Sequence, residues 1–130
     1  MQSFDFKKLY AVGNFLKNQS KKEEYQRSSI NRYYYSIYDP VKDYYEQSFR
    51  KVLPSKNGHS ILIGQLEQSP FEKEQRLGIL MRNLRNMRNQ SDYHKNTVNI
   101  NDAEKSKKIR DKIWSILEDL KNNPLRLSMK

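Results

Sequence analysis

The sequence contains no cysteine, which removes disulfides, thiolate zinc sites, iron–sulfur clusters and a cysteine nucleophile. It has 2 histidines, too few on their own for a typical catalytic zinc site. No apolar run approaches the roughly 18 residues a membrane span needs. Met1-Gln2-Ser3-Phe4-Asp5-Phe6 lacks the basic and apolar regions of a secretory signal. Glycine and proline are scarce, at 4 each, and fall mostly between periodic segments. There is no phosphate-binding glycine loop, no serine nucleophile elbow and no carboxylate cluster with metal-ligand spacing. Acidic residues are also short, with 15 Asp+Glu against 25 Lys+Arg, a formal net charge of +10. Only 35% of residues are hydrophobic, and 9 Tyr and 5 Phe supply much of the core volume. The expectation is a single soluble, cytoplasmic domain over residues 1–130, without metal or cofactor. Its charge points to a polyanionic partner, nucleic acid first. A charge that only aids solubility is the alternative.

What is present has helical periodicity. Phe6, Leu9, Gly13 and Leu16 recur at helical spacing over about residues 3–19, with Phe4, Val12 and Phe15 widening the stripe and Ser3 as N-cap. The longest segment, about residues 21–53, places Ile30, Tyr33, Tyr34, Ile37, Val41, Tyr44, Tyr45 and Val52 in one arc. Pro40 predicts a kink or a division near Asp39. After the breaker Pro54-Ser55-Lys56-Asn57-Gly58, the run Ile61-Leu62-Ile63 with Leu66 reads as a short helix, although its composition also suits a strand. Ser69 as N-cap and Pro70 at the first helical position open a fourth helix carrying Leu77, Leu80, Met81, Leu84 and Met87. Asp102 caps a last helix that buries Ala103, Ile109, Ile113, Ile116, Leu117 and Leu120, beside Trp114, and stops at Asn122-Asn123-Pro124. The tail from 124 to 130 is too short for a domain and is expected to be disordered. These segments predict an all-α fold, an antiparallel bundle of four or five helices.

The informative stretch is Leu84-Arg85-Asn86-Met87-Arg88-Asn89-Gln90-Ser91-Asp92-Tyr93-His94. On a wheel anchored at Leu77, Arg88 falls at roughly +20° and Leu84 at roughly −20°, while Arg82 points to solvent. Arg88 is therefore inward. A guanidinium cannot be neutralised at ordinary pH, so it needs partners or a wet cleft. It either pairs with a carboxylate or with free carbonyls at a helix end, or it holds a phosphate. His94 lies where the helix should end, as a solvated or capping residue or as a proton carrier.

Arg88 followed by His94 resembles the Arg-(four to six residues)-His motif of HEPN domains, the higher eukaryotes and prokaryotes nucleotide-binding superfamily. The stretch from Leu84 to Tyr93 resembles the Leu-Arg-x-x-Arg-Asn-x-Ala-Asp-Tyr segment of small prokaryotic members. Ile30-Asn31-Arg32-Tyr33-Tyr34-Tyr35-Ser36-Ile37-Tyr38 is similar to their Tyr-rich second helix, and Asn99-Ile100-Asn101-Asp102-Ala103-Glu104 to the start of their last one. The likeness spans roughly residues 20–120. It implies a helical homodimer that brings two Arg/His pairs into one cleft, and a metal-independent endoribonuclease. His94 would be the acid/base and Arg88 would bind the scissile phosphate, leaving a 2′,3′-cyclic phosphate and a 5′-hydroxyl. Asn89 would orient phosphate or His94, and Arg85 and Tyr93 would add RNA contacts. It also implies a toxin or antiviral defence effector, with an antitoxin, such as a small nucleotidyltransferase-like protein, or another defence subunit as partner. A non-catalytic RNA- or nucleotide-binding module or dimeric adaptor is the alternative.

Other residues carry weaker signals. Helical phase makes Tyr33 and Tyr34 core, puts Tyr38 at the margin and points Tyr35 outward. Arg27 and Asn31 lie at the edge of the apolar face, positioned to line the cleft. The run Lys105-Ser106-Lys107-Lys108-Ile109-Arg110-Asp111-Lys112 is a solvated face or an RNA-backbone surface. His59, in the breaker loop, carries no assigned role.

Overall fold

The computed structural model describes residues 6–93 and 97–126, apart from the side chain of Tyr93. The described residues form five helices and no strand: α1 (Lys7–Gln19), α2 (Glu23–Phe49), α3 (Gly58–Glu67), α4 (Glu72–Tyr93) and α5 (Ile100–Asn122). None is long and apolar enough to cross a membrane. The run at 61–63 is thus helical, and the chain is an all-α bundle.

Side-chain pairs give the helix directions. Gln26 Nε2 donates to the Lys17 carbonyl, and Tyr33 donates to Asn14 Oδ1, so α1 and α2 are antiparallel. Arg27 meets Ser91 while Tyr44 meets Glu74, so α2 and α4 are antiparallel too. Glu23 meets Val98 and Ser36 meets Arg110, so α2 and α5 run parallel. The frame is therefore up-down-up-down over α1, α2, α4 and α5. Helix α3 packs on α4.

The core is aromatic and aliphatic. Tyr34, Ile37, Val41, Tyr44 and Tyr45 of α2 meet Leu62, Ile63 and Leu66 of α3, Leu77, Met81 and Leu84 of α4, and Ile113, Leu117 and Leu120 of α5. Burying such a side chain contributes about 1.5–3 kcal/mol before conformational entropy is counted. At Gly78 the α3 and α4 backbones approach closely: a Cβ there would stand 2.8 Å from the Glu67 backbone nitrogen.

Five local expectations change. Pro40 does not divide α2, which continues through it. The proline removes one ladder bond, and the surrounding burial of Ile37, Val41, Tyr44 and Tyr45 offsets the loss. Val52 lies beyond the helix end and is 87% exposed, because Arg50 turns into the left-handed region and ends the α2 phase. Helix α4 starts later than expected. The Ser69 hydroxyl accepts from Phe71 N at 3.1 Å and holds the turn ahead of the helix, with Pro70 outside it. Asn99, not Asp102, is the N-cap of α5; Asp102 completes the capping box from the third position. In the tail, Leu125 packs on the core and Arg126 is fastened to Glu74. Ser3, expected as a cap, and residues 127–130 lie outside the described residues.

Candidate anion-binding site

Two polar edges meet between α2 and α4. On α2, Asn31, Tyr35 and Tyr38 follow i, i+4, i+7 spacing. On α4, Asp92, Arg88 and Arg85 follow i, i−4, i−7 spacing, so the antiparallel edges come into register. Asn31 Nδ2 donates to Asp92 Oδ2 at 3.1 Å. Arg88 Nη1 donates to the Tyr35 hydroxyl, and Nη2 donates to Asn89 Oδ1 at 2.7 Å. Arg85 Nη1 donates to Ser60 Oγ at 3.0 Å, from the first turn of α3.

The arginines are held by rings and neutral oxygens. The Arg88 guanidinium carbon lies 5.3 Å from the ring centres of both Tyr34 and Tyr35, within cation–π range. Among the described residues no carboxylate forms an ion pair with Arg85 or Arg88, and both Nε groups are buried without an acceptor. Two uncompensated positive charges, three residues apart on α4, share one half-buried place. Buried guanidinium donors without an acceptor are costly.

The carboxylate and helix-end partners considered for Arg88 are instead taken by Arg27. Its Nη1 donates to the Ser91 carbonyl at 2.6 Å and the Gln90 carbonyl at 3.4 Å, closing the end of α4, and its Nη2 pairs with Glu23 at 2.8 Å. Arg27 still borders an open cleft with Ser28, Asn31, Arg32, Ser91 and Asp92. His94 lies outside the described residues. Tyr93 is the last residue of α4.

Tyr35 does not point outward as its phase predicts. The Arg88 guanidinium draws its hydroxyl to the α2–α4 seam. Tyr33 and Tyr34 are fully buried, as expected. His59, which had no role in the sequence, stands beside these residues. Its ring stacks on Tyr38 at 3.9 Å and 16°, and Nδ1 shares a hydrogen bond with the Tyr34 hydroxyl. Burial, then the charges of Arg85 and Arg88, depress its pKa to about 4, so the ring is neutral at physiological pH. Burial also pushes the Tyr34 and Tyr38 phenols above their usual range. A signal for His59 was present: His59, Leu62, Ile63 and Leu66 follow i, i+3, i+4, i+7, which places all four on the inward face once α3 begins at Gly58.

The basic run of α5 divides by face. Lys107 pairs with Asp111, and Arg110 stacks on Tyr10 at 3.9 Å and donates to Ser36 Oγ. Lys105, Lys108 and Lys112 instead line a groove with Asn83, Asn86 and Gln90 of α4. No family description, curated protein or solved structure matches this chain.

Proposed function

We propose that this chain is a metal-independent endoribonuclease of HEPN type, acting as a two-fold dimer and serving as a toxin or antiviral defence effector. The observation that carries the phosphate half of this reading is the Arg85–Arg88 pair, two half-buried guanidinium groups without a carboxylate partner among the described residues, Arg88 lying beside the Tyr34 and Tyr35 rings. The net charge of +10 supports an RNA partner. The catalytic half rests on the resemblance of Arg88 and His94 to the family motif.

In the proposed reaction the RNA 2′-oxygen bonds to its own phosphorus and the bond from phosphorus to the 5′-oxygen breaks. His94 takes the proton from the 2′-hydroxyl, a proton reaches the leaving 5′-oxygen, and Arg88 stabilises the charge that gathers on the phosphoryl oxygens. Asn89, already bonded to Arg88, orients that guanidinium.

The test is incubation of the purified chain with RNA in EDTA, beside His94→Ala and Arg88→Ala. Cleavage that survives chelation and falls by about 10²-fold or more in each variant is the expected result. Equal cleavage in all three samples points to a contaminant and overturns the proposal. RNA binding without cleavage leaves a non-catalytic module.

A further inference from the structure

The ribonuclease chemistry leaves His59 unused, yet this ring stands beside both arginines. From α2 it is faced by Tyr38, stacked at 3.9 Å, by Tyr34, stacked at 5.5 Å and bonded to Nδ1, and by Tyr35, set edge-on at 6.3 Å. From α4 it feels the positive charges of Arg85 and Arg88. Ser60, its neighbour on α3, accepts from Arg85. Nδ1 is fixed, while Nε2 makes no hydrogen bond among the described residues, and His59 is only partly buried. The imidazole is thus clamped in orientation with one nitrogen still open.

We propose that His59 contacts a ligand at this site and becomes protonated when a phosphodiester settles against Arg85 and Arg88, the imidazolium donating Nδ1–H to the Tyr34 hydroxyl oxygen and Nε2–H to a phosphate oxygen. The inference rests on those arginines forming a phosphate site, and not on cleavage. Without an anion, their two charges and the apolar rings disfavour a third cation. An anion between them neutralises much of that field, so the protonated ring becomes the better partner. Proton uptake and phosphate binding are then linked: each strengthens the other. The sign follows from that linkage. Affinity rises as pH falls through the bound-state pKa of His59, by at most about tenfold per pH unit, and levels off below the free-state value of about 4.

The probe is thymidylyl-thymidine, a 2′-deoxy dinucleotide. Its phosphodiester stays monoanionic, its bases do not titrate in acid, and it has no 2′-hydroxyl to attack. His59 is titrated by NMR in the whole chain, free and with saturating probe, its signals assigned by their loss in His59→Gln. The expected result is a bound-state midpoint at least about one pH unit above the free one. The acid-strengthened affinity should disappear in His59→Gln while pH-independent binding remains. Probe binding that is lost in Arg85→Gln/Arg88→Gln, with the His59 midpoint unmoved, removes His59 from the site and leaves the phosphate site standing. No probe binding by the native chain overturns both. If His59→Gln does not fold, the native titration alone decides, with the signals assigned from His94→Gln.

Discussion

The two ends of α4 treat a guanidinium in opposite ways. Near the N-terminus, Arg126 reaches Glu74 with both terminal nitrogens and lies over Phe49 at 4.3 Å. Glu74 is fully buried, and it also accepts from Ser69 Oγ at 2.6 Å and from the Tyr44 hydroxyl. Charge and hydrogen bonds close within the chain. About three to four turns away stand Arg85 and Arg88, the latter also beside aromatic rings, but no acid among the described residues pairs with them. Aromatic surroundings are common to both ends, so they do not distinguish them. The carboxylate does: its presence makes a clasp for the tail, and under the proposed function its absence leaves the charge for an external anion.

That contrast breaks most sharply at Arg88. Arg88→Met keeps the apolar stem and removes the charge. RNA cleavage should fall by about 10²-fold or more, while stability measured by urea unfolding stays within about 1 kcal/mol, because a repulsive neighbour of Arg85 is lost with the bonds. A stability loss as large as that of a broken buried pair would make Arg88 structural and erase the difference between the two ends.

Glu74→Gln is the reciprocal test, with an expected loss of about 3 kcal/mol, since Arg126 is left without its counter-charge. Unfolding midpoints measure it directly, and RNA binding per folded molecule should not change. The native pair also predicts acid sensitivity. Burial raises the Glu74 pKa, but hydrogen bonds from Arg126, Ser69 and Tyr44 outweigh it and hold the carboxyl below its usual range. Its stabilisation is present above the unfolded-state value and is lost as pH falls through the folded-state one. The acid limb of a stability profile should therefore flatten in Glu74→Gln.

The smallest effect sharpens the open end. Tyr35→Phe removes only the hydroxyl that receives Arg88. A net hydrogen bond of about 1 kcal/mol predicts RNA binding weakened several-fold, through a less fixed guanidinium. Unchanged affinity would mean that Arg88 is oriented by the rings and Asn89 alone.

How much of this was legible before folding depends on the range of the interaction involved. The stripe Leu77, Met81 and Leu84 set the face of α4, and the same phase turned Arg88 inward. The signal at Asn122-Asn123-Pro124 marked the end of α5. Tyr35 escaped because a wheel weighs apolarity and cannot register a guanidinium arriving from a helix 53 positions away. His59 escaped because its stripe was read from Ile61, and because its neighbours come from α2 and α4. Arg27 took the helix-end carbonyls considered for Arg88, a choice made by which side chain the antiparallel register delivers to Ser91.

The amino-acid order by itself determined five helical segments, most of their inward faces and an excess of positive charge, since these follow from spacing of three or four residues and from simple counting; Val12 and Phe15, read into the α1 stripe, are instead 41% and 62% exposed. Tertiary packing alone decided which arginines meet an acid, because ion pairing needs two side chains within a few ångströms. Glu74 lies 52 positions from Arg126 yet reaches it, and among the described residues no such partner is delivered to Arg85 or Arg88.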